Sequence, residues 1–340
     1  MLNKNQIGNT GLHVTELGFG AATLGNLYRP ISDNDAYRAV EKALELGINQ
    51  FDTAPYYGFG LSERRIGNVL RTENQDDWVL STKVGRLLKP CANASDKYGF
   101  CSPMPFEPEY DYSYNGIMRS VEDSIQRLGL SKIDIVYMHD IGSATHGDQH
   151  PVQFKIAESG FRALEELRDQ GVIKAIGLGV NEYQVCEQAM EYCKFDCFLL
   201  AGRYTLLEQE ALTSFLPKCE RDNISIILGG PYNSGILATG VKNAKSVPHY
   251  DYGPAPKEIT QRVADIESVC EEYNVSLASA ALQFPLAHPA VVSVIPGLSS
   301  ANRVESTVKQ IKETIPAEFW QTLRDKGLIH CEAPIPGISL

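Results

Sequence analysis

Gly18-Phe19-Gly20-Ala21-Ala22-Thr23 is the stretch on which the fold turns. It follows the first short apolar run, where an open, doubly wound α/β sheet would carry its phosphate-binding G-x-G-x-x-G turn. Thr23 occupies the position of the last glycine, so that spacing fails. Around it, short apolar runs alternate with amphipathic stretches along nearly the whole chain. The runs lie at 17–21, 48–53, 78–84, 133–139, 173–180, 197–201, 225–229 and 291–295. Helical periodicity follows: Ala36, Val40, Ala43 and Leu44 form one stripe, and Ile117, Val121, Ile125 and Leu128 another, with Val304, Val308 and Ile311 a third. Ser32-Asp33-Asn34-Asp35 supplies an N-terminal cap for the first helix. Regular β-then-α alternation implies parallel strands joined by crossover helices. The run Ile133-Asp134-Ile135-Val136-Tyr137-Met138 suits a strand covered on both faces. Eight such units predict a closed (β/α)₈ (TIM) barrel of the α/β class rather than an open sheet.

Ahead of the first strand, residues 6–14 hold Gly8-Asn9-Thr10-Gly11 between apolar residues, which predicts a β-hairpin capping the lower end of the barrel. No linker interrupts the alternation, so residues 1–340 read as a single barrel domain. Three connections, 85–115, 140–160 and 230–258, are too long for turns. All follow strands and so belong on the C-terminal face, where barrels place their sites. The first carries Tyr98, Phe100, Phe106, Tyr110, Tyr112 and Tyr114; the third carries Tyr232, His249, Tyr250 and Tyr252. Such aromatics suit a lid and pocket for a ring-shaped polar substrate, or simple packing of the loops.

The 340 residues are 43% hydrophobic and 21% charged, an ordinary globular mix with enough apolar content for a large core. A formal charge of −11 argues against nucleic acid or an anionic membrane as a partner, while leaving room for a local basic pocket. No apolar run reaches the roughly 20 residues of a membrane span. The first residues lack the apolar stretch of a signal peptide, and the eight cysteines show no zinc spacing. A cytoplasmic protein with reduced thiols is the expectation.

Four polar residues stand at or just past strand ends: Asp52, Tyr57 five residues on, Lys83 and His139. A phenol has a reference pKa near 10, which an adjacent ammonium would lower and a carboxylate could orient. A histidine beside them could donate a hydrogen bond to an oxygen as charge develops. The set moves a proton and anchors an oxygen but holds no hydride source, so a redox cofactor is required.

Asp52-Thr53-Ala54-Pro55-Tyr56-Tyr57-Gly58, followed by Ser62-Glu63-Arg64-Arg65-Ile66-Gly67, resembles the signature of the aldo-keto reductases. Ser81-Thr82-Lys83 and Tyr137-Met138-His139 are similar to that family's lysine and histidine segments, and the resemblance spans residue 8 to about 310. It implies an NAD(P)-dependent oxidoreductase with Asp52, Tyr57, Lys83 and His139 as its catalytic tetrad. It also implies cofactor contacts at Thr23, Asn181, Tyr204, Pro231, Tyr232, Ser234, Gly235, Leu237, Pro296, Gly297, Ser299 and Arg303. Two family positions depart: Ala201 replaces a glutamine that holds the nicotinamide amide, and Gly229 replaces a stacking aromatic, for which Tyr232 is a candidate. Leu298 replaces a basic residue that meets the 2′-phosphate of NADP, which leaves Arg303 alone and favours NAD over NADP.

Gly18–Asn26 and Leu199–Leu206 are further similar to the aldose 1-dehydrogenase branch, which holds L-fucose and D-threo-aldose dehydrogenases, with L-galactose and pyridoxal 4-dehydrogenases nearby. There a cyclic hemiacetal loses hydride and becomes a lactone, so a small sugar or related hemiacetal is the implied partner. Reduction of aldehydes or ketones with NADPH on the same site is the alternative. Asp140, His146, Asp148 and His150 raise a different class, a metal-dependent barrel hydrolase. A binding subunit without catalysis is a third, against which the complete tetrad argues.

Overall fold

The computed structural model describes residues 1–92, 95–242, 244 and 247–337; parts of the 85–115 and 230–258 connections, and the end of the 1–340 span, lie outside them. Its strands run β1 Lys4–Gln6, β2 His13–Thr15, β3 Phe19–Gly20, β4 Gln50–Asp52, β5 Val79–Val84, β6 Arg86–Pro90, β7 Phe106–Tyr110, β8 Ile135–His139, β9 Ala175–Val180, β10 Cys197–Ala201, β11 Ser225–Gly229, β12 His249–Tyr250, β13 Gly253–Pro254 and β14 Val291–Ile295. Eight of them form one parallel sheet in the order β14-β11-β10-β9-β8-β5-β4-β3. The two outer strands also meet. Leu17 bridges Val294 and Gly20 bridges Gly297, both parallel, with Gly18 N–H donating to the Val294 carbonyl at 2.9 Å. The sheet thus closes into the expected (β/α)₈ barrel. Every expected strand is present, the first two shorter at both ends, the next three shorter by one or two residues at the start, and the last three with the expected bounds.

The helices are α1 Asp33–Glu45, α2 Leu61–Leu70, α3 Tyr114–Leu128, α4 Ser143–His146, α5 His150–Asp169, α6 Gln184–Ala189, α7 Phe215–Arg221, α8 Ile236–Thr239, α9 Lys257–Tyr273, α10 Leu277–Gln283, α11 Ala301–Ile311 and α12 Ala317–Asp325. Ser32 caps α1 by accepting from the Asp35 amide, as its sequence suggests. Among the described residues no helix is long and apolar enough to cross a membrane.

β1 and β2 pair antiparallel in the register Lys4↔Thr15, forming the expected hairpin. Its Ile7, Leu12 and Val14 are buried against Val79, Ile135, Ala175 and Cys197 at the starts of barrel strands. Gly8 is required there: at φ +43 its backbone lies so close to the Asp196 carbonyl that a Cβ would stand 3.0 Å from it. The hairpin therefore plugs the end opposite the site.

All three long connections carry structure that the sequence reading left as loop. The first folds β6 against β7 in the register Arg86↔Tyr110. The second is shortened because α5 begins at His150, where Pro151 in the first turn presets a helical φ. The third holds α8 and the two-residue pair β12–β13.

Gly67 of α2 passes so near the end of α3 that a Cβ would stand 1.8 Å from the Leu128 carbonyl oxygen. Gly67→Ala must push the two helices apart, and overpacking of this kind costs about 1–3 kcal/mol. Thermal and denaturant unfolding should show that loss; an unchanged midpoint would mean the helices separate freely.

Candidate active site

Parallel strands deliver their C-terminal ends to one rim, and the registers Asp52↔Ser81 and Lys83↔Tyr137 set Asp52, Lys83 and His139 side by side there. Tyr57 arrives from the turn between β4 and α2. Lys83 Nζ donates to Asp52 Oδ2 at 2.6 Å and to the Thr53 carbonyl at 2.9 Å, with both side chains of the ion pair almost wholly buried. Ser81 Oγ donates to the second Asp52 oxygen at 2.7 Å. The ammonium stands 4.6 Å from the centre of the Tyr57 ring, whose edge meets His139 at a centroid distance of 6.0 Å.

Burial pushes the Tyr57 phenol above its ordinary range, and the Lys83 ammonium pulls it back only in part. The sequence expectation of a net lowering is therefore corrected: desolvation outweighs the single cation. Burial alone would depress Lys83, yet Asp52 and Tyr57 hold its pKa above the usual lysine value. His139 is lowered well below the ordinary imidazole value by burial, then by Arg86 and Lys83, so it is neutral at physiological pH.

The turn is locked by backbone contact. A Cβ on Gly25 would fall 2.4 Å from the Tyr57 carbonyl carbon, and one on Gly58, at φ +63, 2.5 Å from the Gly25 oxygen. Neighbouring signature residues act as braces. Ser62 Oγ donates to the Ala21 carbonyl and bonds Thr53; buried Glu63 takes Thr82 Oγ1 at 2.8 Å and the Arg127 guanidinium. Arg65 holds the 24–33 loop through Leu24, Asn26, Ile31 and Asp33.

Two contiguous cavities open over this set. One, about 430 Å³, is a groove running from Tyr57 to Arg303, lined by Thr23, Asn181, Pro231, Tyr232, Ser234, Gly235, Gly297 and Ser299. The other, about 490 Å³, has Tyr57, Lys83 and His139 at its base and Tyr28, Tyr56, Tyr98, Phe100, Tyr110 and Tyr252 among its walls. Of the loop aromatics singled out in sequence, Tyr98, Phe100, Tyr110 and Tyr252 face this second cavity. Tyr112 is buried beneath it, donating to the His139 carbonyl at 2.8 Å.

The groove fits a dinucleotide. Among the described residues Thr23 Oγ1 is buried on its wall without a partner, glycine-rich backbone forms its floor at 229–235, and the capped N-terminus of α11 closes its far end. Three expected contacts do not line it. Tyr204 is fully buried against Phe284 and His288, Leu237 is buried in the core, and Pro296 gives its carbonyl to Gly20 in the closing ladder. Tyr232 lines the groove and donates its hydroxyl to Gln310 of α11 at 3.4 Å. Leu298 is fully buried in the core and does not line the groove.

Sequence reasoning missed Arg29, which bonds Ser299 Oγ at 3.1 Å beside Arg303, and Arg203, whose guanidinium holds the Asn181 carbonyl and Asp251. It also gave no role to Arg86. The guanidinium of Arg86 lies 4.1 Å from the Tyr56 ring centre and pairs with Asp140. Among the described residues no three side chains gather to hold a metal ion, and of the set weighed for a hydrolase His146 meets the Tyr112 hydroxyl at 3.0 Å while His150 meets Ile141 and Gln188.

A model of the aldo/keto reductase family matches residues 16–327. The chain belongs to that family. It is 44% identical over 339 residues to the pyridoxal 4-dehydrogenase of Microbacterium luteolum, covering 96% of this chain and 98% of that one. It is 39% identical to the D-threo-aldose 1-dehydrogenase of a Pseudomonas species, covering 94% and 96%. The holo form of an aldo-keto reductase from Bacillus halodurans superposes with a TM-score of 0.75 at 26% identity, covering 99% of each chain. This aldo-keto reductase is thus an oxidoreductase of the branch its sequence resembles, in a family that works with nicotinamide cofactors.

The ion pair gives a direct test. Asp52→Asn leaves a buried ammonium without its counter-charge and should lower stability by about 3–5 kcal/mol. Lys83→Met combined with Asp52→Leu should recover most of that in denaturant unfolding. Additive losses in the double variant would show that the pair is not the source.

Proposed function

We propose that this aldo-keto reductase oxidises an aldose or related cyclic hemiacetal at its anomeric carbon to the lactone, with NAD as the preferred cofactor. One observation carries the reading: Tyr57, held by Lys83 over buried Asp52, stands where the dinucleotide groove meets the aromatic cavity. In that position Tyr57 takes the proton of the anomeric hydroxyl as the carbon–oxygen double bond forms. Neutral His139 donates to the same oxygen. Lys83 stabilises the phenolate, and Asp52 keeps Lys83 in place and charged. The nicotinamide supplies the hydride acceptor. Thr23, Asn181, Ser234, Ser299 and Arg303, with Arg29 added, would hold its dinucleotide.

The case for NAD no longer rests on Leu298. It rests on the exposure of both Arg29 and Arg303, since an exposed ion pair contributes only about 0–1 kcal/mol. NAD is therefore favoured by less than a sequence with Arg303 alone would imply. Reduction of a free aldehyde by the same groups is the reverse of this step and the second reading.

Steady-state assays with L-fucose, D-arabinose, L-galactose and pyridoxal, each with NAD and NADP, test both parts. At least one should be oxidised with a higher kcat/KM for NAD; equal or better use of NADP would overturn the preference. Arg29→Ala and Arg303→Ala should lower kcat/KM for NADP by a larger factor than for NAD.

Tyr57→Phe should fold, bind cofactor and lose about 10²–10⁴-fold in turnover. Because burial holds the phenol high, its phenolate fraction grows with pH, and oxidation should speed up from pH 7 to 9. Lys83→Met should move that rise to still higher pH. A flat profile in the wild type would remove Tyr57 as the proton acceptor.

A further inference from the structure

Asp140 is the residue after His139 and no part of the proton relay, yet it reaches into the aromatic cavity. Its backbone takes φ +47, a conformation that side-chain-bearing residues seldom adopt. That turn is fastened by its amide donating to the Gly179 carbonyl at 3.0 Å, and by the Tyr112 hydroxyl donating to its carbonyl at 3.3 Å. The result is a carboxylate at the cavity wall, its Oδ2 3.4 Å from His139 Nε2. Arg86, itself almost wholly buried and packed against Tyr56, provides the counter-charge. Among the described residues both side-chain contacts of Asp140 fall on Oδ2.

We infer that Asp140 is a specificity-determining residue, whose Oδ1 accepts a hydrogen bond from the hydroxyl that flanks the reacting oxygen of the substrate. This rests on the functional reading above, with Nε2 taken as the His139 nitrogen that holds the reacting oxygen, since Nδ1 is buried. A carboxylate beside that nitrogen lies within reach of the neighbouring oxygen, because adjacent ring hydroxyls are about one hydrogen-bond length apart. In an aldose that group is the 2-hydroxyl; in pyridoxal it is the 3-hydroxyl. The other walls are largely aromatic and offer faces to a ring but few strong acceptors. Arg86 acts as a positioning residue, pairing with Asp140 Oδ2 and opposing the upward push of burial on its carboxyl.

The test compares matched substrates: L-fucose with 2-deoxy-L-fucose, D-arabinose with 2-deoxy-D-ribose, and pyridoxal with its 3-deoxy analogue. A charge-assisted hydrogen bond corresponds to about ten- to a hundredfold in kcat/KM. The wild type should therefore prefer the hydroxylated member of whichever pair it oxidises by that factor. Equal kcat/KM within threefold on both members would overturn the inference and leave the functional reading standing, and it needs no variant. Oxidation of none of the six compounds, nor of L-galactose, would overturn the functional reading and this inference with it. In Asp140→Asn the preference should shrink to below about threefold, mainly through KM for the hydroxylated member, with NAD binding by fluorescence quenching unchanged. Retention of the full preference in that variant would also overturn it.

Discussion

A buried ammonium cannot be left alone, and the upper rim of this barrel is built around that constraint. Lys83 lies at the end of a central strand with almost no exposure. Transfer of such a charge from water costs several kcal/mol unless carboxylate and hydrogen-bond partners meet it. Asp52 and the Thr53 carbonyl do so from the adjacent strand, and Ser81 in turn occupies the other Asp52 oxygen. Each partner fixes the next, so the register of three strands and the geometry of the proton relay are one structural fact. The phenol of Tyr57 then faces a cation that cannot move away from it.

The signature residues with no place in the chemistry serve that same constraint. Ser62, Glu63 and Arg65 lie on one turn of α2 and are buried, which for a glutamate and an arginine demands partners. Glu63 ties α2 to Thr82, next to Lys83, and to Arg127 of α3. Arg65 ties it to the 24–33 loop that carries Tyr28 and Arg29 along both cavities. Gly25 and Gly58 allow that loop and the Tyr57 turn to touch through backbone alone. Substitution at such positions would disturb activity without any of them meeting a substrate.

What the sequence made legible follows from periodicity. Strands β10, β11 and β14 alternate with helices on a regular pattern, and a residue at a strand's end has only one rim to face, so Asp52, Lys83 and His139 could be brought together before any coordinates. Loop residues have no such rule. Tyr28, Asp140 and Asp251 border the cavities at positive φ, where the chain reverses and side chains point in directions that no period announces. Tyr204 and Leu237 are cofactor positions only by the resemblance, and each turns into the core. The long connections were misjudged because β6 and β7 pair across a wide sequence gap, with no tight turn to mark the hairpin.

Net charge is an equally poor guide to a groove. The chain carries −11 overall, yet Arg29, Arg203 and Arg303 all border the dinucleotide cavity. Their effects differ because their partners do. Arg203 is neutralised by Asp251 and used to hold the Asn181 backbone, so it shapes the part of the groove nearest Tyr57 without charging it. Arg29 instead bonds the uncharged Ser299 hydroxyl, next to the α11 N-terminus that carries Arg303. Positive potential is thereby concentrated at the end of the groove far from the proton relay. A cationic field beside Tyr57 would favour the phenolate and change the proton balance that Lys83 alone is placed to set.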